Sequence, residues 1–355
     1  MRTTGHEPEL QAACKAVRLA AGLCQRVQQV LKDDEKTNKL DASPVTIADY
    51  GAQALVAWSL QQSLPQQKFS MVAEEDATDL RKEDAADMVS SLSKLVNAVL
   101  TEQGADALRE GQILDLIDTG SSEGGSQDRH WVLDPIDGTR GFVGMRQYAI
   151  CLGLLDAGKV VAGVLGCPNL PKAAITDADG LAGSALRSGK ADVGCLFAAS
   201  RGNGAFVGSI AGDEMPSTRI NVQEQYSKPE EARFMESFES RHSDFNFSGR
   251  VAQLLGVTKP PLRLDSQVKY GALARGDAAI FMRFPKKGYR EKIWDHCAGA
   301  VIVEEAGAII SDAAGTPLDF GKGRFLDLQD GIIAAPASIH PALVKAVQEA
   351  LAQQE

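Results

Sequence analysis

Apolar residues along this chain recur with two different periods, which together predict a mixed α and β protein. A helical period recurs in long segments, and shorter apolar runs bounded by glycine, proline or acidic residues predict strands between them. The predicted helices cover 8–31, 46–63, 81–103, 246–256, 295–306 and 341–353. The predicted strands cover 69–74, 130–134, two segments joined at 156–159, 193–199, 204–210, 277–284, 308–312 and 331–335.

Length, charge and hydropathy restrict the class of protein. The chain has 355 residues, of which 44% are hydrophobic and 24% charged, as in a soluble globular protein with room for two domains. No apolar stretch approaches the length of a membrane span, so we expect no membrane partner. A net charge of -10 argues against nucleic-acid polymers as partners. The N-terminus has no signal-peptide core, so we expect a cytoplasmic protein, or a chloroplast or mitochondrial one if a transit peptide has been removed.

The six cysteines show no Cys-x-x-Cys spacing, which disfavours zinc-binding and thioredoxin-like functions. We expect free thiols in a reducing compartment. Cys167 and Cys195 bracket a segment between two strand-like runs. A regulatory disulfide between them is one hypothesis, and two buried thiols are the favoured alternative.

The strongest chemical signal is the segment Trp-Val-Leu-Asp-Pro-Ile-Asp-Gly-Thr. Its apolar start predicts the end of a buried strand, so Asp134 and Asp137 lie at a turn and can converge on one point. Together with the Ile136 carbonyl, they suit Mg²⁺, which prefers hard oxygen ligands. Gly138 and Thr139 would then begin a helix whose free N–H groups face a phosphate. The alternative is an Asp-Pro turn with Asp137 as a helix cap.

Acidic residues in two further segments extend this candidate metal site. Glu74 ends a predicted strand, whereas we expect Glu75 and Asp76 to lie in a solvated acidic loop. Asp295 falls in the first turn of a predicted helix, where helix capping is the alternative role. Clustered acids without a cation would repel one another strongly, so a bound divalent ion is the physical reason to gather them.

A candidate base lies near the N-terminus. Thr46 and Asp49 have the spacing of a helix start, so a capping pair is one interpretation. The functional interpretation makes Asp49 a base that activates the attacking water together with the Thr139 hydroxyl.

In combination, these motifs resemble the lithium-sensitive, magnesium-dependent phosphatases related to inositol monophosphatase. The matching runs are Glu74-Glu75, Asp134-Pro-Ile-Asp137-Gly-Thr139 and Trp294-Asp295-His-Cys-Ala-Gly299. A further run, Asp265-Ser-Gln-Val-Lys269-Tyr270, is most similar to the 3′(2′),5′-bisphosphate nucleotidases of the plant and algal type. The resemblance implies a layered α/β/α/β/α sandwich. It also implies an N-terminal domain, 1–165, with most metal ligands, and a C-terminal domain, 166–355, with the nucleotide-binding residues and the last metal ligand.

The resemblance also implies a role for each site residue. A cluster of up to three Mg²⁺ ions would be held by Glu74, Asp134, the Ile136 carbonyl, Asp137 and Asp295. Water would be activated by Asp49 and Thr139. Substrate would contact Gly138, Thr139, His242, Ser266, Lys269, Arg283 and Asp295. A surface histidine is the alternative for His242, and solvated charges are the alternative for Lys269 and Arg283.

The expected activity is Mg²⁺-dependent removal of the 3′-phosphate of 3′-phosphoadenosine 5′-phosphate, giving AMP and phosphate, with 3′-phosphoadenylyl sulfate as a further candidate substrate. The alternatives are an inositol (poly)phosphate 1-phosphatase of the same superfamily and a catalytically silent nucleotide-binding sensor. Inhibition by Li⁺ is expected from the resemblance alone. The expected partner is a small nucleotide bisphosphate, and the expected assembly is a monomer or a weak homodimer.

Overall fold

A computed structural model describes residues 6–35, 43–176, 192–238, 245–286 and 288–353. Its α-helices are α1 (Glu7–Glu35), α2 (Ser43–Ser63), α3 (Ala86–Glu102), α4 (Glu110–Asp118), α5 (Thr139–Val143), α6 (Phe245–Leu255), α7 (Val268–Arg275), α8 (Cys297–Glu305) and α9 (His340–Ala352). Its strands are β1 (Met71–Ala73), β2 (Arg129–Asp137), β3 (Ala149–Asp156), β4 (Lys159–Pro171), β5 (Val193–Ser200), β6 (Gly204–Ser209), β7 (Thr218–Ile220), β8 (Phe234–Glu236), β9 (Leu262–Arg263), β10 (Ile280–Arg283), β11 (Ala308–Asp312) and β12 (Ile332–Pro336). The predicted mixture of helices and strands is confirmed.

Two sheets organise the fold. The first has seven strands in chain order from β1 to β7, with β1 parallel to β2 and every later pair antiparallel. The second has five strands in the order β11-β12-β10-β8-β9, and β10, β8 and β9 run parallel. Because β1 and β2 are parallel, their C-terminal ends meet at the same edge of the first sheet.

The helices form three layers around these sheets. The long helices α1 and α2 cover one face of the first sheet. The buried helices α7 and α8 lie between the two sheets, and α6 and α9 cover the outer face of the second sheet. This arrangement is the α/β/α/β/α sandwich that the resemblance implied. The implied domain boundary after residue 165 falls inside β4, and the division into two domains stays a prediction.

Local differences from the predicted elements concern the candidate site. Helix α2 begins at Ser43, so Thr46 and Asp49 lie inside the helix and are not its capping pair. Asp295 ends a 3₁₀ turn that precedes α8, instead of lying in the first turn of that helix. Strand β2 continues through Asp137, but its register against β3 shifts after Asp134, where Pro135 lacks the N–H needed for a regular ladder.

The described residues also test two other expectations. No described helix has both the length and the apolar composition needed to cross a lipid bilayer. All six cysteines are buried free thiols. Cys167 and Cys195 face each other directly across the antiparallel pair β4 and β5, so the favoured interpretation of two buried thiols describes this structure.

Small residues allow α8 to approach its neighbours closely. A Cβ on Gly163 in β4 would lie 2.6 Å from the carbonyl oxygen of Ala298. A Cβ on Gly299 would lie 2.1 Å from the Cδ2 atom of Tyr270 in α7. The layer between the sheets is therefore packed without room for an additional methyl group at these positions.

We predict that Gly299→Ala lowers the free energy of unfolding by about 1–3 kcal/mol, because the new methyl group overpacks the contact with Tyr270. The matched control is Gly22→Ala in α1, where a Cβ would meet nothing within 4 Å. That change should stabilise the protein by about 0.5–1 kcal/mol through the better helix propensity of alanine. Urea unfolding measures both, and equal effects of the two variants would contradict the packing argument.

Candidate active site

A cavity of about 370 Å³ lies where the C-terminal ends of β1 and β2 meet the beginning of α7 and the end of β10. Its lining includes ten of the twelve residues proposed for the site, namely Glu74, Asp134, Ile136, Asp137, Gly138, Thr139, Ser266, Lys269, Arg283 and Asp295. Asp49 does not line this cavity, but its carboxylate is near enough to contribute, as the smallest of the repelling charges, to the raised pKa of Asp134. His242 lies outside the described residues. The structure therefore brings acids from distant parts of the chain to one place.

Burial and mutual repulsion disfavour the ionised forms of these carboxyl groups. Burial, with repulsion from Glu75, raises the pKa of Glu74 from its ordinary 4.5 to about 7. Burial, with repulsion from Asp137, raises the pKa of Asp295 from 3.8 to about 6. Burial also raises the pKa of Asp134 well above its usual range, with Glu74 as the largest repelling charge. These shifts identify a site whose charge requires compensation.

The donor set fits a divalent cation. Asp134 is 2% exposed, and its Oδ1 atom is buried without a hydrogen-bond partner. Buried carboxylate oxygens are rarely left without partners, and a hard cation would satisfy this one. Glu74, Asp137 and Asp295 line the same cavity and can contribute further oxygen ligands.

Two glutamines hold the backbone segments that carry these acids. Gln267 donates its backbone N–H to Asp137 Oδ2 at 2.6 Å and its side-chain amide to the Trp294 carbonyl at 2.8 Å. It therefore connects Asp137 with the residue before Asp295. Gln53 forms two hydrogen bonds with the backbone of Glu75, one in each direction, and so fixes the chain beside Glu74. Sequence reasoning assigned no role to either glutamine, since each acts on backbone groups far away in the chain.

Gly138 is required by its conformation and by a close contact. Its φ of +92° lies in the left-handed region, and a Cβ there would be 2.8 Å from the Cβ of Ser266. Ser266 itself has a φ of +63°. This close approach places Thr139, the first residue of α5, beside the acids, so the predicted helix start is confirmed.

Cationic side chains line the same cavity beside the acids. Burial lowers the pKa of Lys269 from 10.5 to about 8, although Asp137 and Asp265 favour its charged form. Arg283 donates through Nε to Glu291 at 2.7 Å and through Nη2 to Asp295 at 3.4 Å. The alternative of solvated surface charges is therefore wrong for both residues.

Glu291, Asp295 and His296 also lie close enough together to resemble a metal site. However, Glu291 accepts hydrogen bonds from Arg283 and pairs with His296 Nε2 at 3.0 Å. His296 Nδ1 lies 2.8 Å from the Tyr270 hydroxyl. These contacts describe a hydrogen-bonded network behind Arg283 and Asp295. In the sequence, Glu291 is the one acid in the basic stretch 286–292. That position is the feature from which its pairing with a cation could have been predicted.

A second cavity of about 300 Å³ adjoins the first. Four residues, Arg140, Ser237, Lys269 and Arg283, line both cavities. Its remaining lining is largely apolar and aromatic, with Phe281, Met282, Phe284, Pro285, Lys286, Tyr289 and Glu291. An acidic pocket, a cationic wall and an apolar recess therefore follow one another along one continuous surface.

Comparison with known proteins accounts for this architecture. The model of the inositol monophosphatase family matches residues 6–352. The chain belongs to the inositol monophosphatase family. Its curated relatives include proteins named 3′(2′),5′-bisphosphate nucleotidase from Oryza sativa and Arabidopsis thaliana. The Oryza protein is 52% identical over 98% of this chain and 95% of its own length. The Arabidopsis protein is 51% identical over 99% of this chain and 98% of its own length.

Solved structures give the same fold. An inositol monophosphatase from Anabaena aligns with a TM-score of 0.58 and 19% sequence identity, covering 98% of this chain and 97% of that one. Both the family resemblance and the layered sandwich drawn from the sequence motifs are therefore confirmed.

We predict that the metal-free protein loses stability as the pH rises. The pKa values of Glu74 and Asp295, about 7 and 6, exceed their ordinary values. The contribution of their protonated forms to the stability of the fold is therefore fully present below about pH 4. It is lost as the pH rises through 6 to 7. Thermal unfolding in EDTA should show a Tm that falls between pH 5 and pH 8, and Mg²⁺ should raise the Tm more at pH 8.

Asp134→Asn provides the matched variant for this measurement, since it removes one of the repelling charges. Its Tm in EDTA should depend less on pH, and Mg²⁺ should raise it less. A Mg²⁺-induced Tm shift in the unsubstituted protein that is equal at pH 5 and pH 8 would contradict the assignment of these acids to a cation site.

Proposed function

We propose that this protein is a Mg²⁺-dependent phosphatase that removes the 3′-phosphate of 3′-phosphoadenosine 5′-phosphate, giving AMP and inorganic phosphate. Its curated relatives in Oryza and Arabidopsis carry the name of this activity and match it at 52% and 51% identity over nearly their whole lengths. 3′-Phosphoadenylyl sulfate is a further candidate substrate because it carries the same 3′-phosphate.

The observation that carries this proposal is the order of chemical environments along the two joined cavities. Glu74, Asp134, Asp137 and Asp295 supply oxygen ligands at one end. Lys269 and Arg283 supply positive charge in the middle, and an apolar, partly aromatic recess follows. A nucleotide with two phosphates has the matching sequence of groups, namely a reacting phosphate, a second anion and a flat base.

Up to three Mg²⁺ ions would be held by Glu74, Asp134, the Ile136 carbonyl, Asp137 and Asp295. When bound, the ions would neutralise phosphate charge and lower the pKa of water for attack on phosphorus. Displacement of one Mg²⁺ by Li⁺ would inhibit the reaction. The orphaned Asp134 Oδ1 and the raised pKa values of the other acids support this assignment.

Asp49 and Thr139 would hold the attacking water, and the Asp49 carboxylate would take up its proton. Asp49 is buried in α2, and burial together with Glu75 and Glu74 raises its pKa well above the usual range. A carboxyl group with a raised pKa accepts a proton more readily than a solvated one. The hydroxyl of Thr139 lies at the start of α5 on the cavity wall, where it can accept or donate a hydrogen bond.

Lys269, Arg283 and Ser266 would orient the rest of the nucleotide. The buried ammonium of Lys269 donates to Ser237 Oγ and the Leu264 carbonyl, so its position is fixed before substrate arrives. Glu291 fixes the guanidinium of Arg283 in the same way. Because these charges are already ordered, binding a second phosphate does not cost the conformational entropy of ordering long side chains. His242 and the backbone of Gly138 are proposed as further contacts by resemblance to the family.

We predict that Asp49→Asn lowers kcat by at least about 100-fold, the lower limit for loss of a general base. Binding of Mg²⁺ and of the nucleotide, measured by calorimetry, should stay largely intact because Asp49 lies outside the proposed ligand set. Asp76→Asn is the matched control, since Asp76 is an exposed acid near the end of the same strand as Glu74. Normal turnover by the Asp49 variant would make its assignment as the base wrong.

A substrate panel tests the proposed specificity. Phosphate release should require Mg²⁺, fall with added Li⁺, and favour 3′-phosphoadenosine 5′-phosphate over 3′-AMP by at least about tenfold in kcat/KM. That ratio corresponds to the loss of one charged hydrogen bond. Equal hydrolysis of inositol 1-phosphate would instead indicate an inositol phosphatase, and Mg²⁺-dependent binding without phosphate release would indicate a nucleotide sensor.

A further inference from the structure

Arg324 contacts the two segments that carry Glu74 and Asp295, the candidate metal ligands from opposite ends of the chain. Its Nη2 donates to the carbonyl of Ala73, the residue before Glu74, at 2.6 Å. Its Nη1 donates to the carbonyls of Ser122 at 2.9 Å and Gly120 at 3.3 Å. The guanidinium thus holds the end of β1 together with the adjoining loop.

Arg324 also holds the segment that carries Asp295, through its backbone carbonyl and through the face of its planar guanidinium. The Arg324 carbonyl accepts the N–H of Ile293 at 3.0 Å, and Lys292 pairs with Phe325 in an antiparallel bridge. The guanidinium carbon lies 4.8 Å from the ring centroid of Trp294, the residue before Asp295. These contacts involve Lys292, Ile293 and Trp294, the three residues that precede Asp295.

We propose that Arg324 is a positioning residue that sets the distance between Glu74 and Asp295 and thereby tunes the affinity of the site for Mg²⁺. This inference rests on the proposed function. A planar guanidinium can donate to several carbonyls in fixed directions while stacking on an indole ring, which a lysine ammonium cannot do. Residues that orient metal ligands without touching the metal typically contribute about 10–100-fold to metal affinity.

Titration of the protein with Mg²⁺ alone by calorimetry tests the proposal. Arg324→Gln should weaken Mg²⁺ binding by about 10–100-fold, and Arg324→Lys should fall between this variant and the unsubstituted protein. Steady-state assays should show a higher Mg²⁺ concentration for half-maximal activity, with kcat largely recovered at saturating Mg²⁺. A purely structural arginine would not produce this recovery together with the weakened binding.

Two controls separate positioning from loss of stability. Arg290→Gln is matched in chemistry, since Arg290 stacks on Phe325 and pairs with Asp327 in the same region but contacts neither Ala73 nor Trp294. Its Mg²⁺ affinity should be unchanged. Leu343→Ala in α9 removes a fully buried side chain remote from the site, so it reports the effect of lower stability alone.

The outcomes distinguish the two proposals. If the unsubstituted protein binds Mg²⁺ and Arg324→Gln binds it equally well, or no worse than Leu343→Ala, the positioning role is wrong and the proposed function stands. If the unsubstituted protein binds no Mg²⁺, the proposed function fails, and the positioning role fails with it.

Discussion

Repulsion among carboxylates gathered in one cavity is the constraint on which the rest of this structure depends. Glu74, Asp134, Asp137 and Asp295 line one cavity, and burial raises the pKa of each. A chain that gathers such groups loses stability unless each is protonated or paired with a cation. Without a bound cation, the site is therefore expected to lose stability as the pH rises, and the surrounding fold has to supply the free energy that holds it together.

Hydrogen bonds from side chains to the backbone contribute to that free energy. Gln53, Gln267 and Arg324 all donate to main-chain carbonyls next to the acids. Hydrogen bonds of this kind fix where a ligand-bearing segment runs without adding another charge to the cavity. Gly138 acts similarly, because its missing side chain lets the start of α5 approach Ser266. The acids are thus held in place by neighbours that leave their oxygen atoms accessible from the cavity.

The sequence predicts the acids of the site better than it predicts the residues that hold them in place. Acids at strand ends leave a local signature, so Glu74, Asp134 and Asp137 could be proposed from the pattern around them. Helix α7 was missed because all eight of its residues are buried, which removes the amphipathic period. Arg324 and Gln267 could not be predicted, since their partners are carbonyls from distant segments that no local pattern identifies. Asp295 was proposed from its place in the first turn of a predicted helix, and the structure places it in the 3₁₀ turn that precedes α8.

The charges of the site are also distributed between different parts of the fold. Strand β2 carries Asp134 and Asp137, and Glu74 directly follows β1. The cations Lys269 and Arg283 lie on α7 and β10. Because α7 lies between the two sheets, Lys269 in its first turn is held in place by packing from both sides. Glu291 then restrains Arg283 through a charged hydrogen bond and a network that includes His296. A small anion could bind to the acidic part alone with a cation, but only a ligand with a second anionic group uses the cationic wall as well. The presence of acids and fixed cations on one cavity wall is thus the feature that supports the proposed doubly phosphorylated substrate.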